Sequence, residues 1–67
     1  MKDVIKRIED ERTELDEKLN RLNIFIGSDA FDELDEENIK LLLIQQATMV
    51  KYSNILTDRI NLLNKGN

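Results

Sequence analysis

Between Asp3 and Ile26 the apolar residues Ile5, Ile8, Leu15, Leu19, Leu22 and Ile26 fall on a ladder of threes and fours. That is the seam of a helix packed along another helix. The one rung that breaks the pattern holds Arg12, while Val4 and Phe25 widen the stripe at its two ends. Gly27 supplies the left-handed residue that commonly stops a helix. The pattern predicts a first helix over 3–26, roughly 36 Å long at about 1.5 Å per residue.

Residues 27–35 form a connection, in which Ser28 is placed to cap a short helical turn carrying Ala30, Phe31 and Leu34. Phe31 is expected over the end of the core. Asp35 is a favourable N-cap, Leu34 and Ile39 stand at hydrophobic-staple spacing, and Glu36 and Glu37 suit the positive end of a helix dipole. A second helix is predicted over 36–64, with Gly66 beyond it as a stop signal. Its principal seam reads Ile39, Leu42, Gln46, Met49, Ser53, Leu56, Ile60 and Leu63. Leu43 and Val50 flank that seam on one side. Leu41, Tyr52, Ile55 and Leu62 lie on the other, with Ile44 nearly behind.

Two long helices with a short connection pack antiparallel. The expected fold is all-α: one antiparallel helical hairpin spanning 1–67, with Ile26 near Ile39, Leu19 near Gln46, Arg12 near Ser53 and Ile5 near Ile60. A single neighbour covers only one stripe of the second helix, and a helix apolar most of the way round is normally buried. The surplus predicts that hairpins pair into a four-helix bundle or a higher oligomer through Leu41, Ile44, Ile55 and Leu62.

Composition sharpens this picture. A chain of 67 residues has room for one core, and a lone hairpin of that size is marginal. Cysteine and histidine are both absent, which removes disulfides, thiolate chemistry and the commonest general base and metal ligand. No cofactor or metal is expected, and self-association is the reinforcement that remains. Fourteen acidic against ten basic residues give a net charge of −4, which argues against direct DNA binding and anionic membranes. No apolar run approaches the ~20 residues of a membrane span, and the N-terminus lacks a signal-like apolar segment. A soluble cytoplasmic protein is the expectation.

Three polar features invite a functional reading. Asp29, Asp32, Glu33, Asp35, Glu36 and Glu37 crowd the connection, but they lack the central glycine and spacing of a calcium loop; capping and solvation account for them more simply. Arg12 is suited to pairing with Asp16, Glu9 or a partner's acid while setting register, or alternatively to gripping an anionic ligand. The stripe Gln45, Tyr52 and Arg59, seven residues apart on one side of the second helix, is the leading candidate site. Glu11 of the first helix is positioned to bridge to Arg59 or to the Tyr52 hydroxyl. Tyrosine and arginine are enriched at interface hot spots, whereas a structural reading makes the same stripe a row of inter-helix hydrogen bonds. No nucleophile–base pair, phosphate loop or di-iron carboxylate pattern is present, so an enzyme is not expected.

The strings ERTELDEKLNRLNIFIGSDAF (11–31) and LLLIQQATMVKYSNILTDRI (41–60) resemble small phage and prophage accessory proteins related to a crAss-like phage protein. The resemblance rests on Glu11, Arg12, Leu15, Lys18, Leu19, Phe25, Ser28 and Phe31 in the first half. Leu41, Gln45, Met49, Tyr52, Leu56, Arg59 and Ile60 continue it. It departs at Leu43, Ile44 and Gln46, where charged residues are the family's pattern. The resemblance implies a phage-encoded, non-enzymatic interaction protein that occupies a host protein, such as a defence component. Two further expectations stand beside it: an oligomeric sponge that sequesters a small nucleotide signal between hairpins, and a structural or assembly component of the phage.

Overall fold

A computed structural model describes residues 2–66 and shows three helices: α1 over Lys2–Ile26, α2 over Asp29–Asp32 and α3 over Glu36–Lys65. α1 and α3 pack against each other as an antiparallel hairpin, a rod measuring 49 × 15 × 13 Å. Each long helix runs one residue further than the apolar pattern implies, within the ordinary fraying of helix ends.

The start of α3 follows the predicted capping chemistry. Asp35 has extended backbone (φ −69, ψ 160), and its carboxylate accepts from the Asn38 backbone N–H. The Asn38 side-chain amide adds a second bond to the same oxygen at 2.7 Å. Helix α1 ends differently from expectation. No glycine among the described residues has a positive φ, so Gly27 is not a left-handed stop. Instead the Gly27 N–H donates to the Asn23 carbonyl at 3.2 Å and the Ser28 N–H to the Phe25 carbonyl at 3.0 Å, a last turn tightened from i→i−4 to i→i−3 bonding. The Ser28 hydroxyl also donates to the Phe25 carbonyl. It is thereby spent on the end of α1, and it makes no cap bond to α2. Gly66 is likewise right-handed, at φ −74 and ψ −8.

The core is a single line of apolar contacts. Leu56 is fully buried, and Ile8, Leu15 and Ile60 close round it with Ile5, Met49 and Leu63 partly buried alongside. Phe31 is buried separately at the connecting end. It meets Phe25 edge-to-face, with ring centroids 6.1 Å apart, a favourable geometry for two aromatic quadrupoles.

The pairing of α1 with α3 is offset from the expected one. Arg12 bonds to Thr57, Asp16 to Ser53 and Asn23 to Gln46, whereas Arg12 was expected beside Ser53 and Leu19 beside Gln46. The slip is four residues, about 6 Å or one helical turn. Its physical reason lies in the connection. On the observed register Ile39 falls beyond the last residue of α1, Ile26, at the end where α2 and its buried Phe31 stand.

Two outcomes follow for stability. Leu56→Ala should lower the unfolding free energy by about 2–5 kcal/mol, the usual effect of emptying a filled leucine site, read as a fall in urea midpoint. Gly27→Ala should raise it by about 0.4–1 kcal/mol through the unfolded chain. The added Cβ meets only carbonyl oxygens at 3.7 Å, and the backbone there suits alanine.

Candidate functional site on the outer face of helix α3

Along α3, residues 41, 44, 48, 52, 55, 59 and 62 recur at threes and fours, independently of the buried seam. At about 100° per residue this second stripe is centred roughly 115° round the helix from the first, and it runs for about 32 Å. Its four aliphatic members, Leu41, Ile44, Ile55 and Leu62, are all exposed, with Leu41 at 63% and Leu62 at 70%. Thr48 belongs to it as well. Its hydroxyl donates to the Ile44 carbonyl at 2.8 Å, so it presents little unmet polarity.

Gln45, Tyr52 and Arg59 all lie on the side of this stripe nearer α1, and all three are exposed. Gln45 makes only a long contact to the Met49 sulfur at 3.9 Å. Among the described residues the only ion pair is Lys6–Asp10 at 3.2 Å. The expected bridge from Glu11 to Arg59 is therefore not formed, and the Tyr52 hydroxyl has no hydrogen-bond partner among the described residues either. Glu11 is itself exposed, and an ion pair held in water returns little for the side-chain entropy it consumes.

Arg12 goes elsewhere. It is half-buried, and its Nη1 donates to the Thr57 hydroxyl at 3.2 Å. It does not pair with Glu9 or Asp16; Asp16 instead accepts from the Ser53 hydroxyl at 2.6 Å. The Thr57 hydroxyl in turn donates to the Ser53 carbonyl at 3.1 Å, and Gln46 donates to Asn23 at 2.6 Å. These bonds form a polar edge that stitches one side of the hairpin. On the α3 wheel Thr57 stands about 180° from the stripe centre, so one hairpin cannot aim Arg12 and Arg59 at the same ligand. Asn23 and Thr57 escaped the sequence reading, and Asp16 was expected on Arg12 rather than on Ser53. Their signal was a mirrored spacing: Arg12, Asp16 and Asn23 are four and seven apart, while Gln46, Ser53 and Thr57 are seven and four apart.

An open depression of about 410 Å³ is lined by Asp58, Asn61, Leu62 and Lys65. All four stand on one helix, which cannot surround a ligand. Among the described residues no group of three or more acidic side chains is gathered to hold a metal ion. None of the helices is long and apolar enough to cross a membrane.

A family model described as Sequestin matches residues 2–62, taking in both sides of the seam and the whole outer stripe. The chain belongs to the Sequestin family. No curated protein and no solved structure gives a significant match. The Sequestin name denotes sequestering, a binding role rather than a catalytic one. In this Sequestin chain the outer stripe of α3 is exposed, as are Ile24 of α1 and Leu43 and Val50 of α3. The residues of the polar edge are engaged with each other.

If Gln45 and Arg59 are not inter-helix struts, Gln45→Ala and Arg59→Ala should each leave the unfolding free energy within about 0.5 kcal/mol of the parent, as exposed substitutions do. Urea denaturation at low protein concentration checks this. A loss near 2 kcal/mol would assign them to holding the hairpin.

Proposed function

We propose that the protein is a phage-encoded, non-enzymatic sponge that sequesters a small nucleotide signal in the host cytoplasm and so blunts a host defence response. The observation that carries this reading is the pairing of Tyr52 with Arg59. They stand two turns apart on one exposed stripe, neither has a hydrogen-bond or ion-pair partner among the described residues, and Arg59 is the stripe's one charge. A tyrosine ring stacks on a base, and a guanidinium takes a phosphate with charge-assisted bonds. Gln45 adds a donor and an acceptor for a base edge.

Six of the fourteen acids are concentrated between Asp29 and Glu37, far from this place, while Asp58 adjoins Arg59 and Asp10 and Glu11 of α1 stand about level with it, so the cation faces local acids as well as a ligand. Arg59 lies about 33 Å along α3 from Glu37, several times the screening length of about 8 Å at physiological salt. A rod two helices thick cannot by itself surround a nucleotide, so sequestration places the ligand between copies. Arg12, engaged with Thr57 on the opposite edge, is left out of the phosphate contact.

A second reading, in which the same face occupies and inhibits a host protein, is favoured by the exposed Leu41 and Leu62 near its two ends. They extend the apolar face beyond what a nucleotide bound at Tyr52 and Arg59 would cover. Isothermal titration against a panel of cyclic nucleotides separates the two. The sponge reading expects saturable heat with one member of the panel, weakened at least tenfold (about 1.4 kcal/mol) in Arg59→Ala and in Tyr52→Ala. No heat from any member, together with capture of a host protein that is lost in Leu41→Glu, transfers the function to the second reading.

A further inference from the structure

We propose that two copies pair antiparallel through the outer stripe of α3, about a two-fold axis beside Tyr52, and that the groove left between their α1 helices is the ligand site. The pairing stands on the stripe alone; the groove's ligand rests on the sponge reading above.

The stripe is close to palindromic. Reversed about a point between Lys51 and Tyr52, position 41 maps to 62, 44 to 59 and 48 to 55. An antiparallel partner therefore sets Leu41 against the partner's Leu62 at both ends and Thr48 against the partner's Ile55. The two Tyr52 rings meet at the centre. A face that is its own complement is what a two-fold interface requires. Thr48 can be covered without stranding its donor, which is already bonded to the Ile44 carbonyl.

Charge selects the direction. A parallel pair would stack Arg59 on the partner's Arg59 and bring two connections of six acids each to one end. The antiparallel pair sends those connections to opposite ends of a rod 49 Å long. It also lays Glu36 and Glu37 near the partner's Lys65, and spreads Ile44 along the stem of the partner's Arg59, leaving the guanidinium to emerge at the rim.

The groove follows from the angle between the two stripes. A two-fold perpendicular to both helices keeps the same side of each α3 uppermost, so both α1 helices rise on one side of the α3 pair. With the stripes about 115° apart and helices about 9.5 Å apart, the two α1 axes stand about 17 Å from each other. Subtracting a helix diameter of about 10 Å leaves a slot that admits a flat base and excludes a helix. Its floor is Gln45, Tyr52 and Arg59 from both copies, each Gln45 level with the partner's Arg59. On each wall Lys18 of α1 stands close to level with Tyr52 and Glu11 close to level with Arg59, so the cation added at the centre of the site is Lys18.

The absence of native cysteine makes the test direct. Under mild oxidation without nucleotide, Tyr52→Cys should form a disulfide-linked dimer by itself. Leu41→Cys alone and Leu62→Cys alone should not, and an equal mixture of those two should give the mixed dimer. Cross-linking of Leu41→Cys with itself would establish a parallel pair and overturn the proposal. So would failure of both Tyr52→Cys and the mixture to cross-link, together with a monomer mass by light scattering of the unmodified chain at micromolar concentration. Titrating the panel of cyclic nucleotides into the locked Leu41→Cys/Leu62→Cys dimer then tests the groove. One ligand per two chains is expected, with at least tenfold weaker binding when Lys18→Ala is added. One ligand per chain would overturn the groove while sparing the sponge reading. No binding by a correctly cross-linked dimer would remove the groove's ligand and the sponge reading together, leaving the pairing established.

Discussion

Each helix of a two-helix hairpin can turn only one stripe inward, and α3 has two. The inward one, centred on the fully buried Leu56, supplies the core: Ile8, Leu15 and Ile60 close on it and leave no further apolar face of α1 unspent except near its ends. The other, from Leu41 to Leu62, receives nothing from its own chain. In a rod only 13–15 Å across there is no third element to cover it. The mismatch between one available neighbour and two apolar faces leaves one face of α3 uncovered, which is compatible with the binding role that the Sequestin name suggests.

Apolar contacts alone would tolerate several registers, because leucines and isoleucines repeat along both helices at similar spacing and a slip of one turn exchanges one for another. The polar edge removes that freedom. Arg12 with Thr57, Asp16 with Ser53 and Asn23 with Gln46 meet together only when α3 is drawn back by a turn, and any other offset breaks all three at once. These bonds are individually modest, being at least partly open to water. Their joint dependence on one offset gives them their effect on specificity. The same edge ties up Arg12, leaving Arg59 as the cation on the face that is free.

Charge is distributed in a way that serves the same division of labour. The acids gathered between Asp29 and Glu37 sit at one tip, where Asp35 caps α3 and the rest favour its dipole and its solvation. Past Asn38, α3 carries one acid, Asp58, against Lys40, Lys51, Arg59 and Lys65. An acidic chain thus offers a mildly basic, aromatic and apolar face well away from its acidic tip.

The helices, the Asp35 cap and the two faces of α3 were legible from residue order alone, because they depend on periodicity and on contacts within four residues. The angular position of Gln45, Tyr52 and Arg59 beside the buried seam was legible too, since position on a helix is arithmetic, but whether they bond across to α1 was left open between two readings. The end of α1 was not legible, because Gly27 can be left- or right-handed, and the choice fell to a tightened last turn bonded through Ser28. Nor was the register, which depends on how much room α2 and Phe31 take at the connecting end and on which side chains then meet across the seam. The unmade bridge from Glu11 to Arg59 has the same origin: residues forty-eight positions apart were judged by type, and solvent exposure decided between them. Local order determined what each helix offers; only the packing of one against the other decided which offers were taken up and which face was left over.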